Sequence, residues 1–238
     1  MGKKVENDHE YASSIFVVIS TIFAVCLILS NLIAGKIIQI ANMTLPAAVI
    51  LFPITYIFGD IFTEVYGFKK SKMIIWTGFA CNAFAVTIYV ITIRLPYPDF
   101  WTGQEAFSVV LGTTPRVLVA SLSGYLVGQF TNSIILSKLK VKMNGRKLWI
   151  RTISSTIVGE ALDTVVFILV SFWGTMENAV LVHMMLFQYL WKVCYETVLT
   201  PVTYVVVKWL KSKEGIDAFD YNIKYHILRP NSNTKRFE

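Results

Sequence analysis

Six ionisable residues lie inside stretches of this chain that are otherwise apolar: Asp60, Glu64, Glu160, Asp163, Lys192 and Glu196. An acid or base at the centre of a membrane helix costs roughly 2.5–3.5 kcal/mol, so pairing, water or a bound solute must offset these charges. Carboxyl groups can accept hydrogen bonds from a solute, hold a cation or take up a proton. The excess of acids over the single lysine therefore predicts a proton-coupled carrier or a site for a cationic or hydrogen-bond-donating solute.

Helical spacing groups these residues with other polar side chains. Steps of three or four residues place the members of each stretch on one face of a helix. The groups are Asp60 with Glu64, Glu160 with Asp163, Lys192 with Glu196, and a polar stripe that contains Asn132, with Gln129 beside it. Four stretches with one polar face each predict a shared polar interior between helices.

Packing is the main alternative interpretation of these polar faces. Ser, Thr, Asn and Gln often join membrane helices by hydrogen bonds, which explains Asn132 but not the carboxyl groups. Glu64 could equally belong to a buried ion pair. The glycines of the Gly124-x-x-x-Gly128 step are expected to serve helix packing rather than ligand contact. Trp76 and Tyr125 are candidate stacking partners for a planar solute, although ordinary packing is the commoner role of an aromatic residue.

The elements that must position these residues are six apolar stretches, each near the 20 residues needed to cross ~30 Å of hydrocarbon. They cover residues 13–34, 46–67, 71–94, 115–137, 151–173 and 182–209. The runs are continuous rather than alternating, which favours helices over a barrel. The sequence thus predicts an all-α integral membrane protein with a cytoplasmic segment at 1–12, a six-helix domain at 13–209, and a cytoplasmic tail at 210–238.

The distribution of basic residues predicts the orientation. Of the 22 Lys and Arg residues, the loops after the second and fourth stretches and the two terminal segments hold nearly all, whereas Lys36, Arg94 and Arg116 fall on the other side. The positive-inside rule then places both termini in the cytoplasm. The segment 36–45, between the first two helices, is expected to form a short outer hairpin.

Several other classes of function find no support in the sequence. No phosphate-binding loop, HExxH or GxSxG motif occurs, and the three cysteines and three histidines lack metal-site spacing. The net charge of +7 is explained by the loops, so no nucleic-acid partner is implied. We therefore expect no metal, no cofactor and no enzymatic activity.

Several strings resemble the queuosine precursor transporter family of the vitamin uptake transporter group. They are Asp60-x-x-Thr63-Glu64-x-Tyr66-Gly67, Pro115-Arg116 through Gly128-Gln129, Leu148-Trp149-x-Arg151-x-x-x-Ser155-Thr156, Gly159-Glu160-x-x-Asp163-Thr164 and, near the end, Asp217-x-x-Asp220-Tyr221. The resemblance implies import of a 7-deazaguanine base for queuosine salvage in tRNA across the inner (plasma) membrane.

The resemblance also suggests roles for the buried charges. A deazaguanine offers an N–H and NH₂ edge that one carboxylate can accept through two bonds, and Asp163 or Glu160 is the expected acceptor. Asp60, Glu64 and Glu196 are candidates for a second acid or a proton site, with Lys192 as the internal counter-charge. A self-sufficient secondary carrier is the leading interpretation. Its rivals are a substrate-binding subunit that works with a separate ATPase, and a membrane enzyme or sensor.

Overall fold

The computed structural model is all-α apart from one short hairpin. It describes residues 13–34, 36–40, 43–112, 115–175, 177–221, 223 and 225–227. Along the chain these residues form α1 (Ser14–Ile33), β1 (Ile37–Ile40), β2 (Met43–Pro46), a 3₁₀-helix (Ala47–Ile50), α2 (Phe52–Arg94), α3 (Gln104–Leu111), α4 (Pro115–Lys142), α5 (Leu148–Phe172) and α6 (Asn178–Glu214). The N-terminal segment predicted at 1–12 lies outside the described residues.

The hairpin expected after the first helix is confirmed. Strands β1 and β2 pair antiparallel with Ile37 opposite Pro46 and Ile40 opposite Met43. The second helix begins later than predicted, because residues 46–50 complete the hairpin and the 3₁₀-helix. Pro53 then opens α2, where a residue without a backbone N–H is tolerated.

Two of the predicted helices are the two arms of α2, which bends at Gly67. This residue has φ +79°, a left-handed conformation that only glycine adopts without strain. The hydroxyl oxygens of Thr63 and Ser71 lie 2.9 Å apart, whereas eight residues along a straight helix would separate them by about 12 Å. The chain therefore reverses sharply here, and we call residues 52–66 the first arm and 68–94 the second arm.

The helices form a closed ring. Helix α2 contacts α4, α4 contacts α5, α5 contacts α6, and α6 returns to α2, while α1 packs on the outside of α2. Helices α4 and α5 approach each other closely at Gly128 and Gly159, where a Cβ added to Gly159 would lie 3.0 Å from the Gly128 carbonyl oxygen. Side chains that point from these four helices into the ring must share one interior.

Polarity is arranged in the reverse of a water-soluble protein. The buried side chains include many charged and polar groups, whereas large apolar side chains such as Phe84, Val198 and Val205 are more than two-thirds exposed. Three of the described helices are long and apolar enough to cross a membrane: Ser14–Ile33, Phe52–Arg94 and Leu148–Phe172. An apolar exterior around a polar interior is the arrangement expected of a membrane protein.

Part of the predicted tail lies on the bundle. Helix α6 continues to Glu214 and ends at Gly215, which adopts the left-handed conformation common at helix C-termini. The chain beyond it crosses the basic end of the bundle, where the Ala218 N–H donates to the Val65 carbonyl oxygen at 3.0 Å. We call residues 215–221, 223 and 225–227 the C-terminal segment.

Candidate functional site

Lys192 is the central charge of the polar interior. Its Nζ atom lies 2.9 Å from Glu160 Oε2, donates to Asp163 Oδ2, and lies 4.5 Å from the centroid of the Phe52 ring. Both acids come from α5, where a step of three residues puts them on one face, and the ring comes from the start of α2. Lys192 is thus held by two buried carboxylates and the face of the half-buried Phe52 ring.

A second pair of acids lies beside this one. Asp60 of the first arm accepts a hydrogen bond from Asn132 Nδ2 at 2.6 Å, and Glu196 of α6 accepts one from the Thr156 hydroxyl. The two carboxyl groups lie within hydrogen-bonding reach of each other. This geometry allows a carboxylate and a carboxylic acid to share one proton. We call Asp60, Glu160, Asp163, Lys192 and Glu196 the Lys192 cluster.

Buried polar atoms without a protein partner are concentrated in and around this cluster. A buried polar atom is nearly always hydrogen-bonded, and each exception requires an explanation. Among the described residues the unpartnered atoms include Tyr56 Oη, Gln129 Oε1, Asn132 Oδ1, Glu160 Oε1, Asp163 Oδ1, Thr164 Oγ1, Trp191 Nε1 and Glu196 Oε2. Most of them are hydrogen-bond acceptors, so the interior suits a solute that donates hydrogen bonds.

The glycine step of α4 makes room for the site as well as for packing. A Cβ added to Gly124 would lie 2.7 Å from Asp163 Oδ1, and one added to Gly128 would lie 2.1 Å from the Tyr56 hydroxyl. A Cβ added to Gly59 of the first arm would likewise lie 2.5 Å from Gln129 Oε1. Glycine at these positions therefore lets side chains of the site pack against the backbone of α4 and of the first arm.

The remaining predicted site residues are placed as follows. Gln129 and Asn132 face the first arm, where Gln129 Nε2 donates to the Thr55 carbonyl oxygen at 3.2 Å. The Tyr125 hydroxyl donates to the Ile75 carbonyl oxygen of the second arm at 3.2 Å. Trp76 packs near Phe79 and Phe130 and donates to the Ile227 carbonyl oxygen at 3.1 Å. Tyr125 and Trp76 thus make anchoring contacts with the second arm and the C-terminal segment.

Glu64 belongs to a separate set of charges, one helical turn from Asp60. Both terminal nitrogens of Arg151 donate hydrogen bonds to the Glu64 carboxylate. Lys211 Nζ lies 2.7 Å from Glu64 Oε1, and Lys140 Nζ lies 3.6 Å from the same oxygen. Glu64 was open to two interpretations, a site residue or a member of a buried ion pair. In the structure it forms buried ion pairs. The bases come from α4, α5 and α6, so this carboxylate joins four helices.

The C-terminal segment completes this set with two more acids. Asp217 accepts from Lys140 and lies 2.9 Å from Lys211. Asp220 Oδ2 accepts from the Phe68 N–H at 2.8 Å, which places a negative charge at the start of the second arm, where the helix dipole favours it. We call Glu64, Lys140, Arg151, Lys211, Asp217 and Asp220 the Glu64 network.

Hydrogen bonds set the charge state of Asp217. Burial raises the pKa of its carboxyl group, but the hydrogen bonds from Lys140 and Lys211 outweigh burial and hold the pKa below its ordinary value. From the sequence alone, Lys140, Arg151 and Lys211 belong to the basic segments that predict the orientation, and their contact with Glu64 is not apparent. The available signal was that Arg151, Asp217 and Asp220 all stand in the strings that carry the family resemblance.

The chain matches the model of one protein family over residues 46–206, which include both arms of α2, helices α3 to α5 and most of α6. That family is described as "putative vitamin uptake transporter". The chain belongs to this family. A vitamin uptake transporter is a transport protein and not an enzyme, in agreement with the sequence prediction.

Three curated relatives resemble this vitamin uptake transporter over much of their length. The "Probable queuosine precursor transporter" of Bacillus subtilis is 25% identical over 78% of this chain and 81% of its own length. The "Queuosine precursor transporter" of Escherichia coli is 25% identical over 72% and 76%, and the "Probable queuosine precursor transporter" of Haemophilus influenzae is 24% identical over 56% and 54%. No solved structure matches the chain.

Proposed function

We propose that this vitamin uptake transporter imports a 7-deazaguanine precursor of queuosine across the inner (plasma) membrane as a proton-coupled secondary carrier. The names of the three relatives support the substrate class. The observation that carries the proposal is the Lys192 cluster, where Lys192 contacts two of four buried acids and several acceptor oxygens of the described residues lack partners.

The cluster suits the hydrogen-bonding edge of the base. A 7-deazaguanine presents a ring N–H beside an exocyclic NH₂, and one carboxylate can accept both. Asp163 Oδ1 and Glu160 Oε1 are buried acceptors without protein partners. We assign the guanine-like edge to one of these acids. Asp60 and Glu196, which lie within hydrogen-bonding reach of each other, form the proton site.

The membrane topology forms part of the proposal. Helices α1, α4, α5 and α6 and the two arms of α2 provide six crossings, with both termini in the cytoplasm. Helices α4 and α6 are not among the three selected by length and apolarity. Their outward faces are nevertheless apolar, with Val119, Val198 and Val205 exposed, and their polar residues point into the ring. Inward-facing polar residues lower the mean hydropathy of a helix without exposing charge to lipid.

Uptake by variants tests the substrate site. In a strain that must salvage the precursor, Asp163→Asn should lower the queuosine content of tRNA by at least tenfold, because an amide cannot replace a carboxylate that accepts both donors. Glu105→Gln is the matched control, since it makes the same chemical change in the exposed helix α3. Normal queuosine levels with Asp163→Asn at normal membrane abundance would refute the assignment.

Energy coupling needs a separate experiment. Uptake into vesicles that contain only this purified chain should proceed with an imposed proton gradient and stop when an uncoupler is added. Uptake that requires a partner ATPase and survives the uncoupler would instead establish the chain as a substrate-binding subunit of an ATP-energised system.

A further inference from the structure

Lys192 lies in surroundings that would bind any primary ammonium group. Two carboxylates, from Glu160 and Asp163, face its Nζ atom, and the Phe52 ring covers it at 4.5 Å from the centroid. Carboxylates and an aromatic face are the groups that proteins use to bind organic cations. The cation here is part of the chain itself.

We propose that Lys192 is a tethered occupant of an ammonium subsite, and that a substrate with its own ammonium group binds by displacing it. The inference rests on the proposed function and adds to it a basis for selectivity among 7-deazaguanines. The aminomethyl form of the base carries a primary ammonium group, whereas the cyano form is neutral. Only the aminomethyl form carries a cation that competes with Lys192. It competes for the Phe52 ring and for whichever of Glu160 and Asp163 does not accept the guanine-like edge.

A displaced Lys192 has a second acceptor within reach. Glu196 lies four residues further along α6, which is the spacing at which side chains on one helix face meet. Its Oε2 atom is buried and has no protein partner. The lysine can therefore exchange its ion pairs with Glu160 and Asp163 for one with Glu196 and remain compensated.

The charge of the cluster also permits a second cation. Glu160 and Asp163 share one base, and the cluster holds two further buried acids, Asp60 and Glu196. A bound substrate ammonium group therefore brings the site closer to neutrality rather than making it positive. The bases Arg151, Lys140 and Lys211 do not compensate this excess, because they are already paired with Glu64. A neutral substrate gains nothing from these extra acids and leaves Lys192 in place.

The test compares the binding of the two bases to purified full-length protein, by calorimetry, in the wild type and in two variants. Lys192→Met removes the competing cation but keeps the length of the side chain. The affinity for the aminomethyl base relative to the cyano base should rise by about tenfold. Lys192→Arg should lower the same ratio by a few-fold, because a guanidinium group holds carboxylates through two bonds and is harder to displace.

If either Lys192→Met or Lys192→Arg does not fold, the affinity ratio of the other variant still tests whether Lys192 competes with the substrate ammonium group. An equal change in affinity for both bases, or a ratio that moves in the opposite direction, would overturn the inference. Failure of the proposed function is distinguishable, because neither base would then bind to the wild-type protein.

The aromatic face can be tested in the Lys192→Met background, where no internal cation competes for it. Adding Phe52→Leu should weaken binding of the aminomethyl base by about threefold and leave the cyano base unchanged. Equal weakening of both bases would show that Phe52 packs against the ring system and does not form part of an ammonium subsite.

Discussion

Two groups of buried charges lie one helical turn apart on the first arm of α2, and they differ in how completely they are paired. In the Glu64 network two acids, Glu64 and Asp217, contact three bases, and the Glu64 carboxylate contacts all three, Arg151, Lys140 and Lys211. The Lys192 cluster holds four acids and one lysine, which contacts only Glu160 and Asp163. Among the described residues, oxygens of Glu160, Asp163 and Glu196 accept no hydrogen bond. Asp60 and Glu64 are both fully buried, so burial alone does not distinguish the two groups.

We propose that this contrast separates the buried charges that stabilise the bundle from those that serve transport. A buried ion pair is tolerated when its remaining hydrogen-bonding capacity is also satisfied, and the Glu64 network meets this condition. An incompletely paired cluster costs stability, and binding of a solute can recover part of that cost. We therefore expect substitutions in the network to lower stability and substitutions in the cluster to lower transport.

The largest effect on stability is expected from Arg151→Met. Loss of the guanidinium group leaves Glu64 with only the more distant contact to Lys140 and the half-buried Lys211, so the free energy of unfolding should fall by about 3 kcal/mol. Thermal unfolding of the purified protein in detergent measures this. Arg116→Met is the control, because Arg116 is exposed and donates only to the carbonyl oxygens of Val170 and Trp173. Equal losses in the two variants would mean that the network does not hold the bundle together.

Gly67→Ala tests whether the reversal of α2 depends on the C-terminal segment. A left-handed residue with a Cβ costs about 1 kcal/mol. At Gly67 that atom would also lie 3.0 Å from Asp220 Oδ1 and 3.2 Å from Ala218 Cβ, so the total loss should be about 2 kcal/mol. Gly174→Ala isolates the backbone cost, since Gly174 has the same φ of +79° with nothing within 4 Å. If both variants lose the same stability, the C-terminal segment moves to accommodate the added Cβ and does not stabilise the bend at Gly67.

The same chemical change should have opposite effects in the two groups. Glu160→Gln removes one of four crowded acids, so stability should stay constant or rise by about 1 kcal/mol while uptake falls by at least tenfold. Glu64→Gln removes the acid that three bases share, and stability should fall. Unfolding temperatures and uptake rates of both variants, measured side by side, test this. A loss of stability with Glu160→Gln would break the distinction between network and cluster.

The smallest expected effect is the pH dependence that Asp217 contributes. Because its pKa in the folded protein lies below the ordinary value of 3.8, the charged form stabilises the fold above that pH. This contribution is lost as the pH falls below 3.8 through the folded-state pKa. The side chain is 46% exposed, so solvent screening limits the effect to about 0.5 kcal/mol.

Asp217→Asn checks this contribution. The variant should be less stable than the wild type at neutral pH, and the difference should vanish in acid. A difference that persists unchanged below pH 3.8 would assign the effect to packing of the C-terminal segment rather than to charge.

Much of the fold followed from local properties of the sequence. Long apolar runs indicated the helices, and the segment between the first two runs indicated the hairpin, because both depend on neighbouring residues only. The helix boundaries were less predictable. The second helix begins at Phe52 rather than near residue 46, and residues 68–70 are helical although their lysines suggested a loop. Only the positive φ of Gly67 separates the two arms, and the sequence does not reveal it.

The candidate site was predictable to the level of helix faces. Spacing placed Glu160 with Asp163 and Lys192 with Glu196, since a helix fixes which residues share a face. Pairing between helices was not predictable, because it depends on how the faces rotate toward one another. From the sequence alone, Glu64 is therefore a site candidate like Asp60. Phe52 and Tyr56 are not predicted as site residues, although Tyr56 stands on the same helix face as Asp60.

The sequence by itself determined that this vitamin uptake transporter buries an excess of acids in apolar helices, because residue type and spacing fix both composition and helix face. Only the tertiary structure decided which acids are paired. Arg151, Lys140 and Lys211 reach Glu64 from three other helices, and Asp217 reaches Lys140 from beyond the end of α6. Electrostatic compensation depends on distances of a few ångströms between residues remote in sequence, so it is settled only when the helices pack.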